Sequence, residues 1–266
     1  MTVLDFFVAH PVFTRSEFAQ FLEHRGSVSS QTADSHLKRY LAAERVGRVK
    51  RGVYFASGPG ETAARTSLDY LLVASRLASD AVLAYHTALE AHGYAQSLFE
   101  RLFFLTIAKV KPLKFRGRNF VPVVPPTALR RKKKSFILCT EVERRGLPCR
   151  VTTLERTLAD VLDRPDLAGG LEEAWRSLAG VPLFDLDAVL NYIRLRGQAT
   201  LAAKVGFFLE QRREALSVSE EALTRLRRMR PRQPHYFDRR LGGRMAPAWN
   251  LIVPVPILTR EWEAVA

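Results

Sequence analysis

The sequence predicts an α+β fold in two domains, a small one over residues 1–57 and a larger mixed one over residues 58–266. Three observations predict it. Apolar residues near the N-terminus recur with helical spacing and then give way to an alternating, basic β-hairpin. Between residues 101 and 152, short segments rich in β-branched and aromatic residues are separated by turn residues. Beyond residue 153, five segments return to helical periodicity. At 266 residues and 47% hydrophobic, the chain can bury a sizeable core.

The first helix is expected over residues 2–9, with Leu4 and Phe7 inward. Thr14-Arg15-Ser16-Glu17 is a capping-box pattern that starts a second helix. Phe18, Phe21 and Leu22 give that helix one apolar face, and Gly26 ends it. Ser29 or Ser30 can cap a third helix running to about Glu44. Residues 45–56 alternate around Lys50-Arg51-Gly52, which reads as a two-stranded hairpin with a glycine free to take positive φ in its turn.

On a helical wheel, Ala33, Leu37, Tyr40 and Leu41 of the third helix form one stripe. Ser30, Gln31, Thr32, Ser35, Lys38 and Arg39 populate the other side or the helix start. Gln and Arg can bond bidentately to adenine and guanine edges, and Ser and Thr can bond bases or phosphates. The hairpin adds Arg48, Lys50 and Arg51. Three helices followed by a basic hairpin is winged helix-turn-helix order, with the third helix placed for the major groove and the hairpin for the backbone. Double-stranded DNA is therefore the expected partner.

Net charge is +14 and the pI is about 10.3, which favours polyanionic partners. The charge is uneven. Residues 1–57 carry 8 basic and 5 acidic side chains, residues 58–149 carry 15 and 7, and residues 150–266 carry 18 and 15. The middle segment owes much of its excess to Arg130, Arg131, Lys132, Lys133 and Lys134, expected as secondary phosphate contacts or a docking surface. A second cluster over 225–244 holds eight arginines and one acid, with Tyr236 and Phe237 suggesting packing onto the core. No apolar run approaches the roughly 20 residues that span a bilayer. The start lacks a basic n-region and carries Asp5, which argues against a signal peptide. Cys139 and Cys149 form no metal spacing, so a reduced cytoplasmic setting and no metal or cofactor are expected.

Ser57 to Glu61 (SGPGE) reads as a linker or hinge; no Gly-Lys-Ser/Thr follows it. Helices are expected over 63–79 and 84–94. Strands are expected over 101–109, 120–124, 135–140 and 148–152, and a terminal edge strand in NLIVPVPILTREW. The first three strand segments carry no acidic residue, which argues against a metal-dependent nuclease and against an enzyme. His86 and His92 are six apart, beyond the i, i+4 spacing of a helical metal pair. Packing and hydrogen bonding near the interdomain junction is expected of them, with His92-Gly93 ending the helix. Glu155 and Arg156 point about 100° apart, whereas Arg156 and Asp160 share a helix face and suit a structural ion pair.

Together, SSQTADSHLKRYLAAERVGRVKRGVYF (29–55), AYHTALEAHGYA (84–95) and TTLERTLADVLDRPDLAGGLEEAW (152–175) resemble the AbiEi-type antitoxins of type IV toxin–antitoxin systems. The resemblance covers nearly the whole chain. It implies a bacterial antitoxin and transcriptional autorepressor that binds operator DNA and opposes a nucleotidyltransferase-like toxin encoded alongside. The alternatives are a winged-helix transcription factor with no toxin partner, and an antitoxin that binds its toxin directly.

Overall fold

The structure, a computed structural model, describes residues 2–26, 30–58 and 60–261; the side chains of Ser30 and Gln31 lie outside what is described. The architecture is mixed α and β.

Helix α1 (Val3–Ala9) opens with a Thr2–Asp5 capping box. Strand β1 (Val12–Thr14) follows, then α2 (Arg15–His24), whose Thr14–Glu17 capping box forms as expected. Next come α3 (Ser30–Ala42), β2 (Val46–Lys50) and β3 (Val53–Ala56). The three strands form an antiparallel sheet in the order β1-β3-β2. Three residues are too few to register as a strand in the sequence, so β1 was not expected there. The inward pair of α1 is Phe6 and Phe7, not Leu4 and Phe7. Phe6 packs on Phe21, Phe13 and Phe18, while Leu4 is 51% exposed at the rim of a hollow next to residues 57–72. Two adjacent aromatic rings fill the space beneath this two-turn helix, which leaves Leu4 at its margin.

The small sheet is buried on both faces. Val46, Tyr54, Ala56 and Phe13 face α1–α3; Val12, Val49, Val53 and Phe55 face the rest of the chain and share its core. The units joined through residues 57–61 therefore pack against each other; Pro59 of that stretch lies outside the described residues. Glu17 pairs with Arg76, Phe55 meets Phe115, and Arg116 lies 4.8 Å from the Phe55 ring centroid.

The larger unit begins with α4 (Tyr70–Ser75), β4 (Val82–Leu83), α5 (His86–Ala91), β5 (Arg101–Leu105), β6 (Leu113–Phe115), β7 (Arg118–Val123), α6 (Thr127–Arg131), β8 (Cys139–Arg144) and β9 (Leu147–Thr152). The helix expected over 63–79 shrinks to α4. Arg116 donates to the carbonyls of Ala63 and Thr66, and the Asp69 carboxylate accepts from the Leu71 and Leu72 amides, which restarts the helix there. The strand expected over 135–140 moves to 139–144. The carbonyls of Ser135 and Ile137 instead accept from the buried Arg156 guanidinium. Strand β8 consequently does carry two acids, Glu141 and Glu143, both exposed.

The six strands run β6-β7-β5-β4-β9-β8, with β5/β7 and β4/β9 parallel and the other pairs antiparallel. Alternation sets two faces. Leu102, Phe104, Phe120 and Val151 face α4 and the N-terminal unit; Val82, Phe103, Leu105 and Val123 face the helical part. That part is α7 (Leu154–Asp163), α8 (Leu171–Ala179), α9 (Leu186–Arg196), α10 (Ala199–Gln211) and α11 (Glu220–Arg227), one helix for each of the five periodic segments. The chain then adds β10 (His235–Tyr236), β11 (Arg244–Ala246), β12 (Leu251–Val253) and α12 (Val255–Leu258). The expected terminal edge strand, β12, is the centre of the order β10-β12-β11, because both flanking segments fold back onto it.

Candidate nucleic-acid interface

Helix α3 buries Ala33 and Leu37 against α1 and α2 and half-buries Tyr40 and Leu41, the stripe expected from its spacing. Its other side presents Ser35, Lys38 and Arg39 to solvent, with Thr32 half-buried. Arg39 lies 5.0 Å from the Tyr40 ring centroid, which holds its stem along the helix. Ser30 and Gln31 start the helix, but their side chains lie outside the described residues, as does Ser29.

The hairpin turn sits beside the start of α2: the Arg15 amide donates to the Gly52 carbonyl, 2.9 Å. Gly52 takes φ +85°, which a residue with a side chain would adopt only under strain. Arg15 also binds the Asp34 carboxylate of α3, and Arg51 at the turn is close enough to act on Asp34 as well. Hydrogen bonding from Arg15 holds the Asp34 carboxyl below the usual carboxylate range. The first turn of α2, the middle of α3 and the hairpin tip thus share one exposed, basic face. Arg15 was not anticipated. Its position directly after an N-cap was the available signal, but only the fold brings Asp34 to it.

Lys50 departs from the sequence-based role. A β-bulge sets Arg48 opposite Tyr54 and Lys50 opposite Val53, leaving Val49 as the extra residue. The bulge turns Lys50 toward α4, where its ammonium donates to the Leu77 carbonyl at 2.7 Å. Burial there lowers its pKa. Arg48 and Arg51 remain exposed.

The cations of 130–134 are placed elsewhere. Helix α6 packs toward α9, and Lys132 donates to the Leu195 carbonyl at 2.8 Å. Arg130 donates to the Pro125 carbonyl and the Thr127 hydroxyl. All five side chains are exposed, on the helical side of the six-stranded sheet, opposite the face that receives the N-terminal unit. Of the eight arginines of 225–244, Arg225 pairs with Asp187, Arg227 with Glu210 and Glu220, and Arg240 with Asp238, while Arg230 donates to the Ala248 carbonyl.

The remaining motif residues lie inside the larger unit. His86 is buried against Phe99, with Nε2 3.3 Å from Glu173 Oε1; it sits between α5 and α8, not at the junction between units. Burial lowers its pKa, against the pull of Glu173. The same Glu173 oxygen accepts from the Gln96 and Ser97 amides and the Ser177 hydroxyl. His92 is the C-cap of α5, and its Nε2 lies 2.8 Å from the Thr152 carbonyl oxygen. Arg156 and Asp160 form the expected i, i+4 pair, wholly buried. Asp160 also accepts from Tyr192 (2.7 Å) and Arg196 (2.6 Å), so one carboxylate meets two guanidinium groups and a phenol. Glu155 points away and accepts from the Asp185 amide ahead of α9. With their hydrogen bonds directed at backbone and one another, these residues cross-link β9, α5, α7, α8 and α9.

No family model matches the chain, and no curated protein matches it. Among solved structures, the crystal structure of RV2827C protein from Mycobacterium tuberculosis is similar over 94% of this chain and 89% of that one, with a TM-score of 0.58 and 17% identity. At that identity the likeness is one of fold, extending through both units.

Proposed function

We propose that residues 1–57 form a winged helix-turn-helix that binds duplex DNA, with α3 in the major groove and the β2–β3 hairpin along the backbone. The observation that carries this is the shared face of Arg15, Arg51 and α3, with Ser35, Lys38 and Arg39 exposed on it. Cations at a hairpin tip and a helix start meet phosphates, while side chains on the intervening helix reach base edges. On the resemblance of its later segments to the AbiEi-type antitoxins, we propose further that the protein represses its own operon and opposes a nucleotidyltransferase-like toxin encoded beside it.

Footprinting on the DNA upstream of the gene tests the first part. Wild-type protein protects a discrete repeat, and Arg48→Ala with Arg51→Ala lifts protection at moderate salt. Equal protection by both proteins would overturn the assignment. Co-expression with the neighbouring gene tests the second: rescue of growth supports an antitoxin, and a neighbour that is harmless alone removes that role while leaving DNA binding intact.

A further inference from the structure

An open hollow of about 630 Å³ lies at one end of the six-stranded sheet. Its apolar part is Ile107, Phe136 and Ile137; its rim is Arg130, Lys133 and Lys134. Ile107 is 61% exposed, and Val124, at the end of the neighbouring strand β7, is 58% exposed. Among the described residues the lining carries no Asp or Glu. Neighbouring Asp80 is occupied by the Thr106 hydroxyl and the Ile107 amide.

Exposed branched aliphatics ringed by cations match the anatomy of a protein interface, an apolar centre inside a charged rim. Duplex DNA makes little use of them, since its backbone contacts are polar. The Arg150 guanidinium, 5.1 Å from the Phe136 ring centroid, adds a further cation beside the hollow. A second copy is disfavoured by its own net charge of +14. The hollow also lies across the sheet from the N-terminal unit, so both surfaces can be filled at once.

From these features we infer that the hollow is a docking site for an acidic protein segment carrying an aliphatic or aromatic anchor. The anchor sits on Ile107 and Phe136, and its flanking carboxylates meet Arg130, Lys133 and Lys134. The inference is independent of the DNA-binding proposal.

Selection of short random peptides displayed on phage against the full chain, followed by fluorescence polarisation of the enriched peptide, tests it. Enriched peptides are expected to be acidic with Leu, Ile or Phe anchors. Ile107→Ser weakens the peptide about tenfold, and Lys133→Glu with Lys134→Glu weakens it at least as much, most strongly at low salt. These side chains are exposed, so both variants keep the wild-type melting temperature, and both keep the affinity for operator duplex. Failure to enrich acidic peptides, or enriched peptides indifferent to both variants, overturns the inference. So does loss of duplex binding in the charge-reversal variant with no effect of Ile107→Ser, which would make the hollow a phosphate-contact surface.

Discussion

The Arg15 guanidinium holds the Asp34 carboxylate with two parallel bonds, Nε to Oδ1 at 2.6 Å and Nη2 to Oδ2 at 2.9 Å, tying the first turn of α2 to the exposed side of α3. The pair links the two helices at the surface and neutralises a cation on the face that Arg51 shares. Replacing Asp34 by Asn should free Arg15 for phosphate and remove a negative charge from the face. Duplex binding should tighten at low salt, with a salt slope steeper by about one. Titration at several salt concentrations checks this; weaker binding at every salt would show that the pair's geometric role dominates.

The hairpin cations divide by placement. Arg48→Ala and Arg51→Ala together should weaken duplex binding broadly and lower the salt slope by up to about two. Lys50→Ala should leave the slope unchanged, because its ammonium is bound to the Leu77 carbonyl. Its effect should appear in the melting temperature, since it removes a contact between the two units.

Asp160 is shared by two buried guanidinium groups, of which Arg196 also meets Asp163. Asp160→Leu should cost about 3–5 kcal/mol in urea unfolding, because Arg156 and Arg196 then lack their shared counter-charge in a dry interior. Glu155→Ala, one residue before Arg156, should cost only about 1 kcal/mol, the loss of a single bond to the Asp185 amide. Similar costs for the two would refute the distinction between them.

His86 is held neutral by burial, so its folded pKa lies below the ordinary value near 6.5. Its protonation therefore occurs first in the unfolded chain. The stability it contributes is complete above about pH 6.5 and declines as pH falls from there toward the folded pKa. Titration of the His86 imidazole by NMR should give a value below 6.5. Thermal midpoints of wild type should fall faster between about pH 6.5 and 5 than those of His86→Phe, which cannot titrate.

Gly206 lies under Trp249, and a Cβ there would stand 2.1 Å from the indole ring. Trp249 cannot swing away, because its Nε1 donates to Glu210 Oε2 at 2.6 Å. Gly206→Ala, normally helix-favouring, should instead destabilise by about 1–3 kcal/mol. Urea unfolding checks the sign.

Local signals carried well from sequence to structure. The Thr14–Glu17 box caps α2, the apolar stripe of α3 turns toward the core, the 46–56 hairpin forms, and Arg156 pairs with Asp160. Each depends on contacts within a few residues, where spacing alone fixes which side chains meet. Expectations failed where a distant group intervened. Arg116 takes the carbonyls that a helix over 63–69 would have used, and Arg156 takes those of a strand at 135–138.

The sequence by itself determined the basic charge, the helical and alternating periods, the caps and the turn glycine, because these are properties of short stretches of chain. Only the tertiary structure decided which cations stay available. Lys50, Arg51 and Lys132 are equivalent in the sequence, yet a bulge sends Lys50 into the Leu77 carbonyl, α6 sends Lys132 onto Leu195, and Arg51 is left beside Asp34 on the exposed face. The physical reason is that a carbonyl at or just past a helix end lacks an intrahelical partner, and a long flexible ammonium within reach will satisfy it. Which carbonyls are left wanting is known only once the strands and helices have packed.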